Sequence, residues 1–126
     1  MWKVLSKRRL EGAPREPRVK TYRSQSGYVF EYRFQGRRER MRGVDYLFQV
    51  SPDRRTETSV SVTISRKASR AWSDAHRPLR DNEQYGIAKM ALFRAFDACE
   101  NPAALQERIH PSQETIEEIC NTLDLP

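Results

Sequence analysis

The chain has 126 residues, the size of one domain with a modest core, and 37% of them are hydrophobic. Its mean hydropathy of −0.85 is polar, yet its apolar residues recur at regular spacing, which argues against disorder. No apolar run near the N-terminus is long enough for a signal peptide or a membrane span. We therefore expect a cytoplasmic protein without a membrane partner, in which Cys99 and Cys120 are free thiols.

Charge is divided unevenly along the chain. Residues 1–80 hold 20 Lys and Arg against 8 Asp and Glu, a net charge of +12, whereas residues 81–126 hold 3 against 9, a net charge of −6. This division indicates that the first part faces a polyanion or an acidic protein surface. The alternative is that the charges serve solubility alone.

Residues 1–27 are interpreted as a basic, partly flexible N-terminal arm. They hold eight Lys and Arg against two Glu, and Pro14 and Pro17 keep the middle of the segment extended or turned. A short ordered piece is expected around Trp2. Residues 28–126 then form a single α+β domain, and the alternative for the arm is a terminus without a role.

Three segments alternate apolar and polar residues, the pattern of strands with one buried face. The apolar positions are Tyr28, Phe30, Tyr32 and Phe34, then Val44, Tyr46, Phe48 and Val50, then Val60, Val62 and Ile64. The predicted fold is α+β: a three-stranded antiparallel β-meander with a long helix and one or two shorter C-terminal helices packed on its aromatic face.

The connection between the first two strands allows two interpretations. Residues 35–36 form a tight turn, with the second strand starting near Arg38 and a bulge at Gly43, or the whole run is a longer loop. The proline in residues 51–57 predicts a turn before the third strand. Residues 71–81 are expected to be a loop anchored on the core by its tryptophan.

Helical periodicity covers the C-terminal part. Asp81 and Gln84 resemble a capping box that opens a helix over residues 82–99, and Pro102 suits the start of a short helix. A last helix is predicted from an apolar stripe at Ile116, Ile119, Cys120 and Leu123.

In an antiparallel meander, the connection between the first two strands lies at the same end of the sheet as the C-terminal end of the third strand. The basic residues of these two segments are therefore expected to lie together. They are Arg37, Arg38, Arg40, Arg42, Arg66, Lys67 and Arg70, with only Glu39 opposing them. Arginine is suited to bidentate contact with phosphate, and such contacts dominate sequence-independent binding of nucleic acid. A base-stacking sheet platform is less favoured, because the aromatic residues of the strands lie on the face that the helices cover.

The resulting prediction is a non-catalytic module that binds RNA or DNA, with no cofactor and no metal. The alternative is a protein-binding module (an inhibitor, adaptor or assembly subunit) whose basic edge meets an acidic partner. Glycine-loop, dinucleotide, zinc-protease and nucleophile-elbow signatures are absent from the sequence. Neither the neighbours Ser73, Asp74 and His76 nor the His and Cys residues show spacing that favours catalysis or zinc binding.

Two apolar residues fall on the side of the long helix that should be polar. Met90 and Phe93 share an arc with Lys89, Arg94 and Asp97 at 100° per residue. Either the last helix covers them, or they stay exposed and bind another chain, including a second copy of this one.

Overall fold

The structure is a computed structural model that describes residues 10–125, so the expected ordered piece around Trp2 lies outside the described residues. Its strands are β1 (Lys20–Arg23), β2 (Val29–Arg40), β3 (Gly43–Ser51), β4 (Thr58–Ser65) and β5 (Arg108–Ile109). Its helices are α1 (Arg66–Ala75), α2 (Asp81–Ala98) and α3 (Gln113–Thr122), with a 3₁₀ turn at Pro102–Ala104. The strands form one sheet in the order β1-β2-β3-β4-β5, antiparallel except for the parallel pair β4 and β5.

The predicted three-stranded meander is the centre of a wider, mixed sheet, so the strand count was wrong. Strand β1 comes from residues assigned to the basic arm and pairs with β2 through Lys20 and Tyr32. Strand β5 pairs only two residues, with Ser61 opposite Arg108. Four residues and two residues are too short to show an alternating pattern, which explains why neither edge strand was recognised.

The first hairpin turns later than predicted. Strand β2 continues through Gly36, with a bulge between Phe34 and Gly36, and the chain reverses at residues 41–42. Gly36 has a φ of +135°, and a Cβ there would lie 3.1 Å from the backbone oxygen of Glu11, which pairs with Arg37 across the edge of β2. The glycine therefore permits a bulge and a close backbone approach rather than a tight turn.

The core lies on one face of the sheet, as the alternating pattern predicted for β2, β3 and β4. Phe30 is fully buried, and its ring stacks on that of Phe96 in α2 with the centroids 4.3 Å apart. The long helix matches the prediction to within one residue at each end. Tyr28 is an exception, because it precedes β2 and is 37% exposed. From α3 the buried residues are Ile116, Ile119 and Cys120.

Two local predictions about the helices were wrong. Residues 71–75, which were predicted to begin a loop, belong to helix α1, although Trp72 is buried as expected. Ala68, Ala71, Trp72 and Ala75 follow the i, i+3, i+4, i+7 spacing of an amphipathic helix, so the pattern was present but was overlooked because three of the four residues are small alanines. The cap of α2 is Arg80, whose backbone N–H donates to Glu83 at 2.9 Å, instead of Asp81.

The segment after α2 is less regular than the short helix expected at Pro102. It forms a three-residue 3₁₀ turn and then β5, which carries the buried Ile109. Within residues 10–125, no helix combines the length and the apolar character needed to cross a bilayer.

Candidate functional site

The turn between β2 and β3 lies beside the start of α1. The pairing of β4 with β3 ends at Ser65, which lies opposite Gly43. The next residue, Arg66, therefore lies beside the turn. The side chain of Arg66 donates from Nε to the Met41 carbonyl at 3.0 Å and from Nη2 to the Arg40 carbonyl at 2.6 Å. These two hydrogen bonds hold the turn between β2 and β3 against the N-terminus of α1.

Four basic side chains surround this junction. Arg42, Arg66, Lys67 and Arg70, here called the hairpin-end patch, line a recess of about 650 Å³ together with Met41, which is 84% exposed. All four basic residues are exposed. Among the described residues that line the recess, Asp74 is the single carboxylate. The structure thus brings together four of the seven basic residues that the sequence grouped.

The electrostatics of α1 add to the positive character of the patch. Arg66 and Lys67 occupy the first turn of the helix, which contains no acidic residue. The N-terminus of a helix carries a partial positive charge, so cations there are unfavourable and an anion is stabilised. Ser65 caps the helix by accepting a hydrogen bond from the Ala68 N–H at 3.1 Å.

Arg38 and Arg40 lie on the open face of the sheet, opposite the helices. They border a concavity with a volume of about 510 Å³, whose other lining residues include Ser61, Arg108 and His110. The Nε atom of Arg38 is buried and has no hydrogen-bond partner within the described chain. Arg108 and His110 were missed because their place beside β4 depends on the two-residue pairing of β5.

Arg40 has a structural partner. Its guanidinium is paired with the carboxylate of Asp45, which is only 7% exposed. Thr63 also donates to this carboxylate, from Oγ1 at 2.7 Å. Arg40 therefore compensates a buried charge and is less available to a ligand than Arg38.

Arg37 lies on the other face of the sheet, apart from the patch to which the sequence assigned it. The bulge before Gly36 shifts the alternation of β2, so Arg37 pairs in register with the buried Tyr46. Its Nη1 atom is 3.3 Å from Asp81 Oδ1, and this interaction raises the pKa of the guanidinium. Arg37 connects β2 to the start of α2.

Met90 and Phe93 are half-buried and pack against the core. The Phe93 ring stacks on Tyr22 of β1 and meets Tyr32 edge-on, with centroid distances of 4.3 and 5.5 Å. Neither of the two alternatives in the sequence analysis included a contact with β1, because β1 itself was not predicted.

The residues considered for catalysis or zinc binding do not form a metal cluster. His76 follows α1 and stacks on Trp72 with centroids 4.5 Å apart. Cys99 and Cys120 are free and buried, and burial raises the pKa of each thiol. In the part of the chain that the structure describes, no three His, Cys, Asp or Glu side chains are placed to hold a metal ion.

Known proteins offer no relative from which a role could be transferred. No family model, no curated protein and no solved structure matches this chain. Function is therefore inferred from the surfaces described above.

Proposed function

We propose that this protein is a non-catalytic module that binds RNA or DNA through phosphate groups, with the hairpin-end patch as its main contact. The observation that carries the proposal is the convergence of Arg42, Arg66, Lys67 and Arg70 on one exposed recess. Four cations beside a helix N-terminus without acidic residues attract an anionic partner.

Individual side chains in the patch have different roles. Arg66 already donates to two turn carbonyls, so it shapes the patch and adds charge. Lys67 and Arg70 are three residues apart on α1, a spacing that places them on the same side of the helix. With Arg42 from the turn, they can contact successive phosphates of a backbone.

Two further groups extend the proposed contact. Arg38 borders the open face of the sheet, where its guanidinium group can meet a phosphate. The basic arm, residues 1–27, adds Arg15, which is exposed in the structure. Contacts of this type fix a backbone without reading its bases, so we expect little sequence preference.

The test compares two double charge reversals that change the net charge equally. Lys67→Glu with Arg70→Glu alters the hairpin-end patch, whereas Arg23→Glu with Arg55→Glu alters exposed positions at the opposite end of the sheet. Binding of short RNA and duplex DNA is measured by fluorescence anisotropy across a salt series, and thermal midpoints verify folding.

We expect the parent to lose affinity steeply with salt, by about 0.9 in the slope of log affinity against log salt for each phosphate contacted on duplex DNA. The patch variant should lose most of its binding, and the matched control should retain most of it. Equal losses in the two variants would show that net charge alone drives the interaction. A parent that binds neither nucleic acid at low salt would leave the acidic protein partner as the better explanation of the patch.

A further inference from the structure

A second recess, of about 340 Å³, lies where residues 14–20 pass the aromatic side chains of β2 and α2. Its wall is formed by Tyr32, Phe34 and Tyr85, and we call this site the aromatic recess. The rings of Phe34 and Tyr85 are 4.8 Å apart, and both side chains are half-buried. The aromatic face of the sheet, which α2 covers elsewhere, is therefore accessible at this point.

Positive charges border the aromatic wall. The Nζ atom of Lys89 lies 5.9 Å from the ring centroid of Tyr32 and 6.0 Å from that of Tyr85. Lys20 and Arg18 line the recess from the segment that leads into β1, and Lys20 pairs in register with Tyr32. These are the groups that give an aromatic anion both a stacking surface and a counter-charge.

Lys20 and Lys89 both lie beside Tyr32, Lys20 as its partner in register on β1 and Lys89 from α2. The pKa of Lys89 is lowered, first by burial and then by the positive charge of Lys20. The stem of Lys89 covers apolar rings, as lysine stems often do, but this does not account for a second ammonium group beside it. Among the described residues that line the recess, Glu16 is the single carboxylate opposing Arg18 and Lys20, and the guanidinium of Arg33 is paired with Glu57 outside the recess lining at 3.1 Å.

We propose that the aromatic recess binds a nucleoside phosphate, with the base against Phe34 and Tyr85 and the phosphate beside Arg18 and Lys20. The volume lies within the range of about 300 to 1,000 Å³ that is usual for small-molecule sites. The recess shares no lining residue with the hairpin-end patch. The two sites can therefore be tested separately, and the recess does not depend on the proposed function.

The first experiment separates the two halves of the ligand. AMP, adenosine and ribose 5-phosphate are titrated into the full chain, and backbone amide shifts are followed by NMR. We expect AMP to shift the amides of Lys20, Phe34 and Tyr85. Adenosine and ribose 5-phosphate should each bind at least about tenfold more weakly than AMP, because each lacks one of the two recognised groups. Equal binding of AMP and ribose 5-phosphate would overturn the base contact.

The second experiment uses substitutions at exposed positions. Arg18→Gln with Lys20→Gln should weaken AMP binding about tenfold or more without lowering the thermal midpoint, because both residues are exposed. Arg23→Gln with Arg55→Gln removes the same charge elsewhere and should leave binding unchanged. Glu16→Gln should tighten binding by up to about fivefold, since it removes the opposing carboxylate. AMP affinity that is unchanged in the Arg18 and Lys20 variant would overturn the proposal.

A third variant tests whether the base stacks on Tyr85. A second ligand tests whether the bound nucleotide is free or is the end of a nucleic-acid strand. Tyr85→Leu keeps an apolar side chain and should weaken AMP but not ribose 5-phosphate, whereas an equal effect on both would overturn the stacking role. A short 5′-phosphorylated single strand that binds about tenfold or more tighter than AMP identifies the end of a strand as the source, and equal affinity identifies the free nucleotide.

The Lys67 and Arg70 charge reversals should leave AMP binding intact. Loss of AMP binding in that variant would instead assign the nucleotide to the hairpin-end patch and overturn the aromatic recess. Failure of AMP to shift any amide of the recess, while duplex binding persists, would overturn this proposal and leave the proposed function standing.

Discussion

Tyr22 and Phe93 stack face to face, with ring centroids 4.3 Å apart and planes 6° from parallel. The Tyr22 hydroxyl also donates to Asp97 Oδ2 at 2.8 Å, and the backbone N–H of Gln25 donates to Asp97 Oδ1 at 3.0 Å. Burial and the neighbouring carboxylate both raise the pKa of the Tyr22 phenol. An edge strand of four residues is thereby held against the long helix by one aromatic pair and one carboxylate.

Phe93→Ser should lower the free energy of unfolding by about 2 kcal/mol, less than a fully buried phenylalanine would lose, because Phe93 is half-buried. Urea denaturation measures this change. Met41→Ser serves as the control, since Met41 is 84% exposed and should change stability little. A double-mutant cycle with Tyr22→Leu should give a coupling energy of about 0.5 to 1.5 kcal/mol for the stacked pair, and a value of zero would show that the stacking adds nothing beyond burial.

The position of Phe93 illustrates what the sequence could not provide. The period of α2 placed Phe93 on the polar side of the helix and left open what could cover it there. In the structure its ring meets Tyr32 of β2 edge-on and stacks on Tyr22 of β1. The answer depends on β1, a segment with one aromatic residue among polar neighbours in a stretch of basic charge. Strand recognition from periodicity needs more residues than β1 contains.

Phe30→Ala tests the part of the fold that the sequence did predict. Phe30 is fully buried and stacks on Phe96, so its truncation should lower the free energy of unfolding by about 3 to 5 kcal/mol. Tyr28→Ala is a control in the same predicted stripe, because Tyr28 is 37% exposed and should lose much less. Equal thermal midpoints for the two variants would contradict the placement of Phe30 in the core.

Of the seven basic residues that the sequence grouped, some could be placed from the order of the strands, whereas the position of others depends on a bulge in β2. The order of the strands placed Arg42, Arg66, Lys67 and Arg70 at one end, and the structure has them there. The bulge in β2 could not be located from a single Gln-Gly pair, and one residue of shift reverses the face of every later side chain. Strand alternation puts Arg37 on the opposite face from Arg38 and Arg40, and the bulge decides that Arg37 takes the face covered by the helices.

The pair between Arg77 and Glu83 predicts acid sensitivity. Two guanidinium hydrogen bonds of 2.8 and 2.7 Å and the Arg80 N–H lower the pKa of Glu83 from 4.5 to about 2. Because the folded pKa lies below the unfolded one, this contribution to stability is complete above about pH 4.5 and is lost as the pH falls toward 2. Thermal midpoints measured over this interval should fall less in Glu83→Gln than in the parent. Parallel curves for the two proteins would contradict the assignment.

Arg38 and Arg40 lie two residues apart on one face of β2, but of the two only Arg40 forms an ion pair among the described residues. Arg40→Glu should lower the free energy of unfolding by about 1 to 3 kcal/mol, because it leaves the buried Asp45 carboxylate facing a like charge with only Thr63 as a donor. Arg38→Gln removes no hydrogen bond seen among the described residues and puts no like charge opposite Asp45, its partner in register on β3, so stability should stay within about 0.5 kcal/mol. Chemical denaturation separates the two variants.

Binding of RNA or DNA should also differ between the Arg38 and Arg40 variants. Arg38→Gln should weaken RNA or DNA binding in a protein that stays folded, whereas a loss of binding in Arg40→Glu would be accompanied by a loss of stability. Arg40→Glu combined with Asp45→Lys restores an opposite-charge pair and should recover part of the lost stability, which separates charge pairing from a general intolerance of substitution at this position. If Arg38→Gln unfolds the protein and Arg40→Glu does not, the assignment of Arg40 to structure and Arg38 to the ligand must be reversed.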